Sequence, residues 1–131
     1  MSEAPREATA RCHCGAVELV AAFPSRFVAH CYCDSCRRTH AAGVVSWAGF
    51  KRVQVRFTRG EALLRDYVSS EGAHRKFCGN CGTRVVFESE RPNWADEMHI
   101  PLALFVSPLD RAPHVNAFTE ERPAWAPFHA F

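Results

Sequence analysis

The sequence predicts a mainly β protein, and three observations support this prediction. Short segments rich in β-branched and aromatic residues recur along the chain, separated by polar or glycine-containing turns. The 131 residues are enough for one domain with its own hydrophobic core. All seven cysteines lie in three tight clusters, whose Cys-x-Cys and Cys-x-x-Cys spacings suit extended segments and tight turns.

The strands are expected in seven short segments. They are residues 16–20, 27–30, 44–50, 52–57, 63–68, 74–77 and 83–87. Apolar residues alternate in the fourth segment, so Val53, Val55 and Phe57 should face the interior. Trp47 and Trp125 are expected in the core. Residues 100–104 give no clear prediction. The polar residues 1–10 are expected to form a flexible tail, which leaves residues 11–131 as the single domain.

The cysteine spacing favours metal binding over disulfides. The clusters are Cys12-x-Cys14, Cys31-x-Cys33-x-x-Cys36 and Cys78-x-x-Cys81. Disulfides would leave one cysteine unpaired, and bridges between such close neighbours would close almost no loop. In an extended segment, residues i and i+2 share a face, so Cys-x-Cys aims both sulfurs at one point. Cys-x-x-Cys does the same around a tight turn, where Gly79 and Gly82 are expected to supply positive φ angles. Zinc is the metal that such thiolate pairs favour.

The number of ligands predicts two different zinc sites. A structural zinc has four protein ligands, whereas a catalytic zinc often has three and an open position. The two pairs would form a closed site, and the triad would hold a second, open zinc. The closed set is Cys12, Cys14, Cys78 and Cys81, and the open set is Cys31, Cys33 and Cys36. His13 and His30 flank ligands but alternate away from the sulfurs, so neither is expected to bind zinc.

The charge and hydropathy patterns argue against several classes of protein. The net charge of +2 is too small to indicate a nucleic-acid or membrane-surface partner. Basic residues are spread along the chain and are not interleaved with aromatics, which disfavours a nucleic-acid-binding zinc ribbon. No apolar run approaches transmembrane length, and the first residues have no apolar signal core. Together with reduced cysteines, these features predict a cytoplasmic protein.

The order of the three clusters resembles a known family. Residues 11–17 read Arg-Cys-His-Cys-Gly-Ala-Val, residues 31–38 read Cys-Tyr-Cys-Asp-Ser-Cys-Arg-Arg, and residues 75–83 read Arg-Lys-Phe-Cys-Gly-Asn-Cys-Gly-Thr. With the ending from His114 to Trp125, they resemble the glutathione-dependent formaldehyde-activating enzyme family, which includes centromere protein V-like proteins. The resemblance spans about residues 10–125. Many relatives carry histidine where this chain has Tyr32, a position between ligands that is not itself a ligand.

The resemblance implies a β-tent fold, in which small antiparallel sheets meet over the zinc sites. It also implies that the four-cysteine site is structural and that the triad site meets substrate. The implied activity is that of a carbon–sulfur lyase or thiol–aldehyde adduct-forming enzyme, with glutathione and formaldehyde-like substrates. Three thiolates leave zinc with a net negative charge and an open position, which suits a soft thiol ligand better than the generation of hydroxide.

Three residues that follow the triad are candidates for a role in the reaction. Arg37 and Arg38 could pair with a carboxylate of a thiol peptide, because guanidinium binds carboxylates bidentately, or could be a solvated charge pair. His40 could act as a base, could complete the zinc shell, or could be structural.

The alternative function is a non-catalytic zinc module that binds a partner. The fourth ligand of the triad zinc separates the two functions. Water or an added thiol there favours the enzyme, and a protein side chain favours the module.

Overall fold

The computed structural model describes residues 5–131 and contains ten strands and one α-helix. The strands are β1 Glu7–Arg11, β2 Glu18–Ala22, β3 Phe27–Cys31, β4 Val45–Lys51, β5 Val55–Arg59, β6 Leu64–Ser70, β7 Ala73–Cys78, β8 Arg84–Ser89, β9 Glu97–Pro101 and β10 Val115–Ala117. The helix α1 is Asp34–His40, and short 3₁₀ turns lie at Arg52–Gln54, Glu61–Leu63, Leu102–Leu104 and Thr119–Glu121.

The strands form two sheets. One has three strands in the order β1-β2-β5, and the other has seven in the order β10-β3-β4-β9-β8-β7-β6. Neighbouring strands are antiparallel except for β10, which runs parallel to β3. The prediction of a mainly β fold of antiparallel sheets is therefore confirmed.

Residues of both sheets share one hydrophobic core. Leu19 and Ala21 of β2 pack in one buried cluster with Val28, Phe50 and Ile100 of the larger sheet, and each is at most 1% exposed. Burying one large apolar side chain stabilises the fold by roughly 1.5–3 kcal/mol. The apolar faces of the two sheets therefore hold them together and fix the relative position of the cysteine-bearing loops.

The first strand lies within the predicted tail. Residues 7–10 belong to β1, in which Ala8 and Ala10 are buried and pair with β2. The tail prediction is wrong there because small alanine side chains give little apolar signal, although β1 alternates as a half-buried strand does. The part of that prediction covering residues 1–4 lies outside the described residues.

Two other predictions from the apolar pattern are corrected. Val53 lies in a 3₁₀ turn and is 91% exposed, and β5 begins only at Val55. Val55 and Phe57 do pack against the core. Trp125 is 73% exposed, whereas Trp47 is buried as expected.

The helix α1 was not predicted by the strand pattern. It begins directly after the triad turn, with Asp34 in its first turn and basic residues in its last turn, charges that suit the helix dipole. It ends at Ala41, whose φ of 51° is left-handed. At seven residues it is too short for a bilayer, and no other helix in residues 5–131 has the length and apolarity of a membrane span.

Candidate metal centres

The four cysteines of the predicted closed site meet between the two sheets. Cys12 and Cys14 follow β1, Cys78 ends β7, and Cys81 lies in the turn before β8. Their four sulfurs all lie within 4.8 Å of one another. The Cys12–Cys14 and Cys14–Cys78 sulfur separations are 3.6 and 3.9 Å. Sulfurs around a tetrahedral zinc with bonds of about 2.3 Å would lie about 3.8 Å apart, so the donor set fits zinc and not a disulfide.

Hydrogen-bond donors surround these sulfurs. The Val17 N–H donates to Cys12 Sγ at 3.3 Å, and the Asn80 side-chain amide donates to Cys14 Sγ at 3.2 Å. The bond from Asn80 lowers the pKa of Cys14. The hydroxyl of Thr83 lowers the pKa of Cys81 to about 5. Donors of this kind favour the thiolate form that a metal requires.

The two glycines of this turn have different roles. Gly82 has a φ of 82°, as expected from the sequence. Gly79 has no positive φ, so that prediction is wrong; a Cβ at this position would lie 2.8 Å from the Leu63 carbonyl oxygen. Gly79 is therefore required for the close approach of two backbones.

The triad is formed at the junction of β3 and α1. Cys31 is the last residue of β3, Cys33 is the N-cap of α1, and Cys36 lies in its first turn. The sulfurs of Cys31 and Cys36 are 3.6 Å apart. Within residues 5–131, no histidine, aspartate, glutamate or further cysteine joins this cluster of three. The ligand set is therefore incomplete on the protein side.

The triad thiols are electrostatically unequal. Hydrogen bonds from Cys31 and Cys36 lower the pKa of Cys33, whereas the bond to Cys33 raises the pKa of Cys31. The positive charge of the buried Arg75 guanidinium also lowers the pKa of Cys33. The two terminal nitrogens of Arg75 lie 3.8 Å from Cys36 Sγ. Cys33 is thus the thiol most easily ionised.

The triad sulfurs line a cavity of about 340 Å³. Its other walls combine five aromatic side chains with charged, polar and alanine residues. The aromatic side chains are Phe27, Trp47, Phe87, Trp94 and Phe118, and the polar ones include Arg75, Arg91, Ser70, Ser89, His99 and Glu121. A concave, mostly apolar site with a few polar groups is typical of small-molecule binding.

The model of the family described as glutathione-dependent formaldehyde-activating enzyme matches residues 7–121, which include both cysteine clusters and the cavity wall up to Glu121. The chain belongs to this family. A Rhodobacter sphaeroides protein, solved as a structural genomics target, shares the fold with a TM-score of 0.66. Its sequence is 24% identical over 83% of this chain and 99% of that chain. No curated protein is significantly similar.

Arg37 and Arg38 lie outside the triad cavity of this glutathione-dependent formaldehyde-activating family member. The Arg37 guanidinium donates to the carbonyl oxygens of Tyr32 and Glu121, at 2.9 and 3.1 Å. Arg38 is 80% exposed and pairs with Asp34 at 3.1 Å. With Trp125, the two arginines line a separate, shallow depression. The structure therefore does not bring either guanidinium to the triad.

His40 is not among the residues that line the triad cavity. Its ring packs edge-on against Trp47, with centroids 5.2 Å apart, and burial lowers its pKa to about 4. It is not part of the triad cluster, so it does not close the site. His13 and His30 are likewise outside both clusters, and His30 Nδ1 instead contacts Ser46 Oγ.

Three cavity residues were missed by sequence reasoning. Arg75 lies in the matched stretch 75–83, but only the register of β7 directs it to Cys36. Arg91 follows β8, and His99 lies on β9, a strand whose first three residues fall outside every predicted segment. The one available signal was the period-2 pair Glu97-x-His99, which places both side chains on one face of a strand.

Proposed function

We propose that this member of the glutathione-dependent formaldehyde-activating family is a zinc-dependent enzyme that joins a small thiol to an aldehyde. The thiol is glutathione or a similar compound, the aldehyde is formaldehyde or a similar small carbonyl, and the same site cleaves the carbon–sulfur bond in the reverse direction. The observation that carries this proposal is the incomplete triad in the cavity wall, with no fourth ligand among the described residues. A fourth protein ligand would have supported a closed binding module.

Cys31, Cys33 and Cys36 would hold the zinc of this site, and the other four cysteines would hold a structural zinc. When bound, the triad zinc would supply a soft electrophilic position that holds an external thiol in its thiolate form. Arg75 would offset the negative charge of the three thiolates, because its guanidinium already contacts Cys36.

The reaction needs no oxidant or reductant. The thiol loses its proton, a sulfur lone pair forms the new bond to the carbonyl carbon, and the π electrons of the C=O bond move to oxygen. The oxygen then takes one proton, which gives a hydroxymethyl thioether. The aromatic walls of the cavity would exclude water from this addition.

The guanidinium of Arg91 in the cavity wall suits a thiol that carries a carboxylate. Arg91 lines the cavity from an exposed position and could bind such a carboxylate, a role that Arg37 and Arg38 cannot fill from outside the cavity. Glutathione has two carboxylates, so it meets this requirement.

The proposal is tested by measuring adduct formation and thiol binding together. Exchange NMR with ¹³C-formaldehyde and glutathione should show faster exchange with the protein than in buffer. In protein with cobalt at the triad site, added glutathione should intensify the sulfur-to-metal charge-transfer bands. Cys33→Ser should lose both effects. A spectrum unchanged by millimolar thiol, together with exchange no faster than in buffer, would overturn the enzyme proposal in favour of the binding module.

A further inference from the structure

A buried carboxylate–imidazole pair lies in the wall of the triad cavity. Glu97 and His99 are two residues apart on β9, so their side chains lie on the same face. His99 Nε2 is 2.9 Å from Glu97 Oε1, and the two residues are 8% and 5% exposed. Arg26 Nε lies 2.9 Å from the other oxygen of Glu97. The carboxylate is therefore held from both sides.

This geometry determines which ring nitrogen of His99 carries the proton. An ionised carboxylate only accepts hydrogen bonds, so Nε2 must be the N–H donor to Glu97. Burial lowers the pKa of His99, although the bond to Glu97 opposes this effect. The ring is therefore neutral near pH 7, and Nδ1 carries a free lone pair.

The free nitrogen is not fully buried. Nδ1 makes no hydrogen bond to any residue in 5–131. A fully buried side-chain nitrogen or oxygen without a partner occurs in these residues only at Asn116 Oδ1, so Nδ1 of His99 must be partly exposed. Nδ1 is thus not sealed in the core. Since His99 lines the triad cavity, Nδ1 is accessible from that cavity.

The ring is also held in place by its neighbours. Phe27 meets it edge-on with centroids 4.9 Å apart, and Phe87 and Trp94 lie at 5.7 and 5.8 Å. Phe87 is its cross-strand partner on β8, and Gly49 is its partner on β4. Packing and the bond to the carboxylate therefore fix the orientation of the ring, as general acid–base catalysis needs.

We propose that His99 is a catalytic proton-transfer residue of the thiol–aldehyde reaction and that Glu97 is the residue that positions it. This inference rests on the proposed function. The thiol S–H gives its proton to Nδ1, the sulfur lone pair forms the S–C bond, and the C=O π electrons move to oxygen. The oxygen then takes the proton from Nδ1, which returns the imidazole to its starting form. Cleavage of the adduct follows the same steps in reverse.

The test uses the zinc-loaded protein and exchange NMR with glutathione and formaldehyde. His99→Gln should lower kcat by about 10²- to 10⁴-fold, the usual contribution of a general acid–base group, with little change in KM. Imidazole added to His99→Ala should restore part of the rate. His74→Gln, a histidine substitution outside the cavity, should keep the wild-type rate. Glutathione should still intensify the cobalt charge-transfer bands of His99→Gln, which shows that the triad site is intact.

Glu97→Gln provides a readout that a purely structural role would not move. The Glu97 carboxylate favours the protonated ring, so its loss should move the acid limb of kcat/KM to lower pH. The other charged side chains around His99 include Arg26 beside Glu97, Arg75 over the Phe87 ring, and Arg91, Asp34 and Glu121 in the cavity wall, and this variant changes none of them.

The outcomes separate the two proposals. Wild-type acceleration with an equal rate for His99→Gln would overturn the role of His99 and leave the proposed function standing. An acid limb of kcat/KM that does not move in Glu97→Gln would overturn the positioning role of Glu97. A wild-type protein no faster than buffer would overturn the proposed function, and the role of His99 with it.

Discussion

The sulfur of Cys33 accepts a hydrogen bond from the backbone N–H of Cys36 at 3.3 Å. The same atom is therefore the N-cap acceptor of α1 and a member of the triad. Any metal that binds Cys33 is consequently coupled to the start of the helix.

Two substitutions of Cys33 should separate these roles. Cys33→Ser and Cys33→Ala both remove a triad thiolate, but serine can still cap the helix. In protein that keeps the closed-site zinc and has no metal at the triad, Cys33→Ala should be less stable to urea than Cys33→Ser by about 1 kcal/mol, the usual cost of losing an N-cap acceptor. Equal midpoints for the two variants would show that the Cys33 cap contributes nothing.

Loss of the closed site should unfold the protein. Cys78 is fully buried, and a structural zinc contributes on the order of 10 kcal/mol to the folding of a small domain. Cys78→Ser should therefore be insoluble or lack a cooperative thermal transition. Cys33→Ser, which removes a triad ligand, is the matched control and should stay folded with one zinc. A soluble Cys78→Ser protein with an unchanged Tm would contradict the structural assignment.

The choice of thiol should depend on Arg91 and not on Arg38. Arg91→Ala should weaken glutathione binding by about 1 kcal/mol, as expected for a charged hydrogen bond at a partly solvated position. Arg38→Ala removes an exposed guanidinium outside the cavity and should have no effect. Titration of the cobalt-substituted protein measures thiol binding by both variants. Glutathione is compared with 2-mercaptoethanol, a thiol that has no carboxylate. An equal loss for both thiols would argue against carboxylate recognition by Arg91.

Stability should depend on pH through His74. Its two ring nitrogens lie 3.0 Å from Glu90 and 2.6 Å from Asp66, and these bonds raise its pKa above the ordinary 6.5. The stabilisation is complete below the unfolded-state pKa and is lost as the pH rises through the folded-state value. The Tm difference between wild type and His74→Gln should therefore be larger at about pH 5.5 than at about pH 9. A constant difference would show that the ring is not charged between the carboxylates.

Two glycines with similar φ angles should respond differently to alanine. Gly60 and Gly82 have φ angles of 77° and 82°. A Cβ at Gly60 would lie 2.0 Å from the Ala16 carbonyl oxygen, whereas a Cβ at Gly82 would meet nothing within 4 Å. Gly82→Ala should cost only the left-handed conformation, about 1–2 kcal/mol, and Gly60→Ala should cost more because two backbones must separate. Thermal denaturation measures the stability of the two variants. Equal losses of stability would show that the close approach to the Ala16 carbonyl adds no cost at Gly60.

The cysteine groups could be predicted because their geometry is mostly local. Spacings of two or three residues already place sulfurs side by side, so the sequence indicated both the pairs and the triad. The cavity could not be predicted in the same way. Arg75 and His99 reach it only because β9 lies between β4 and β8 in the sheet, and this strand order depends on pairing between distant segments.

Where the local sequence pattern led to a wrong prediction, it was compatible with more than one structure. Val53 fits an alternating strand, but residues 52–54 form a turn in which Gln54 accepts the Lys51 N–H. Trp125 has a large apolar side chain and yet lies at the surface against Gly43, since the final segment runs outside the sheets. Arg37 and Arg38 follow the triad in sequence, but the helix directs their side chains away from the cavity.

The chain is made from its N-terminus, and the two cysteine groups are completed at very different times during synthesis. Cys31 and Cys36 are 5 residues apart, so the triad exists almost as soon as its last member leaves the ribosome. Cys14 precedes Cys78 by 64 residues, a delay of roughly 3–13 s at 5–20 residues per second. Through that interval the first pair has no partner. The yield of folded protein in a cell should therefore depend on how well these two early thiols are protected from oxidation.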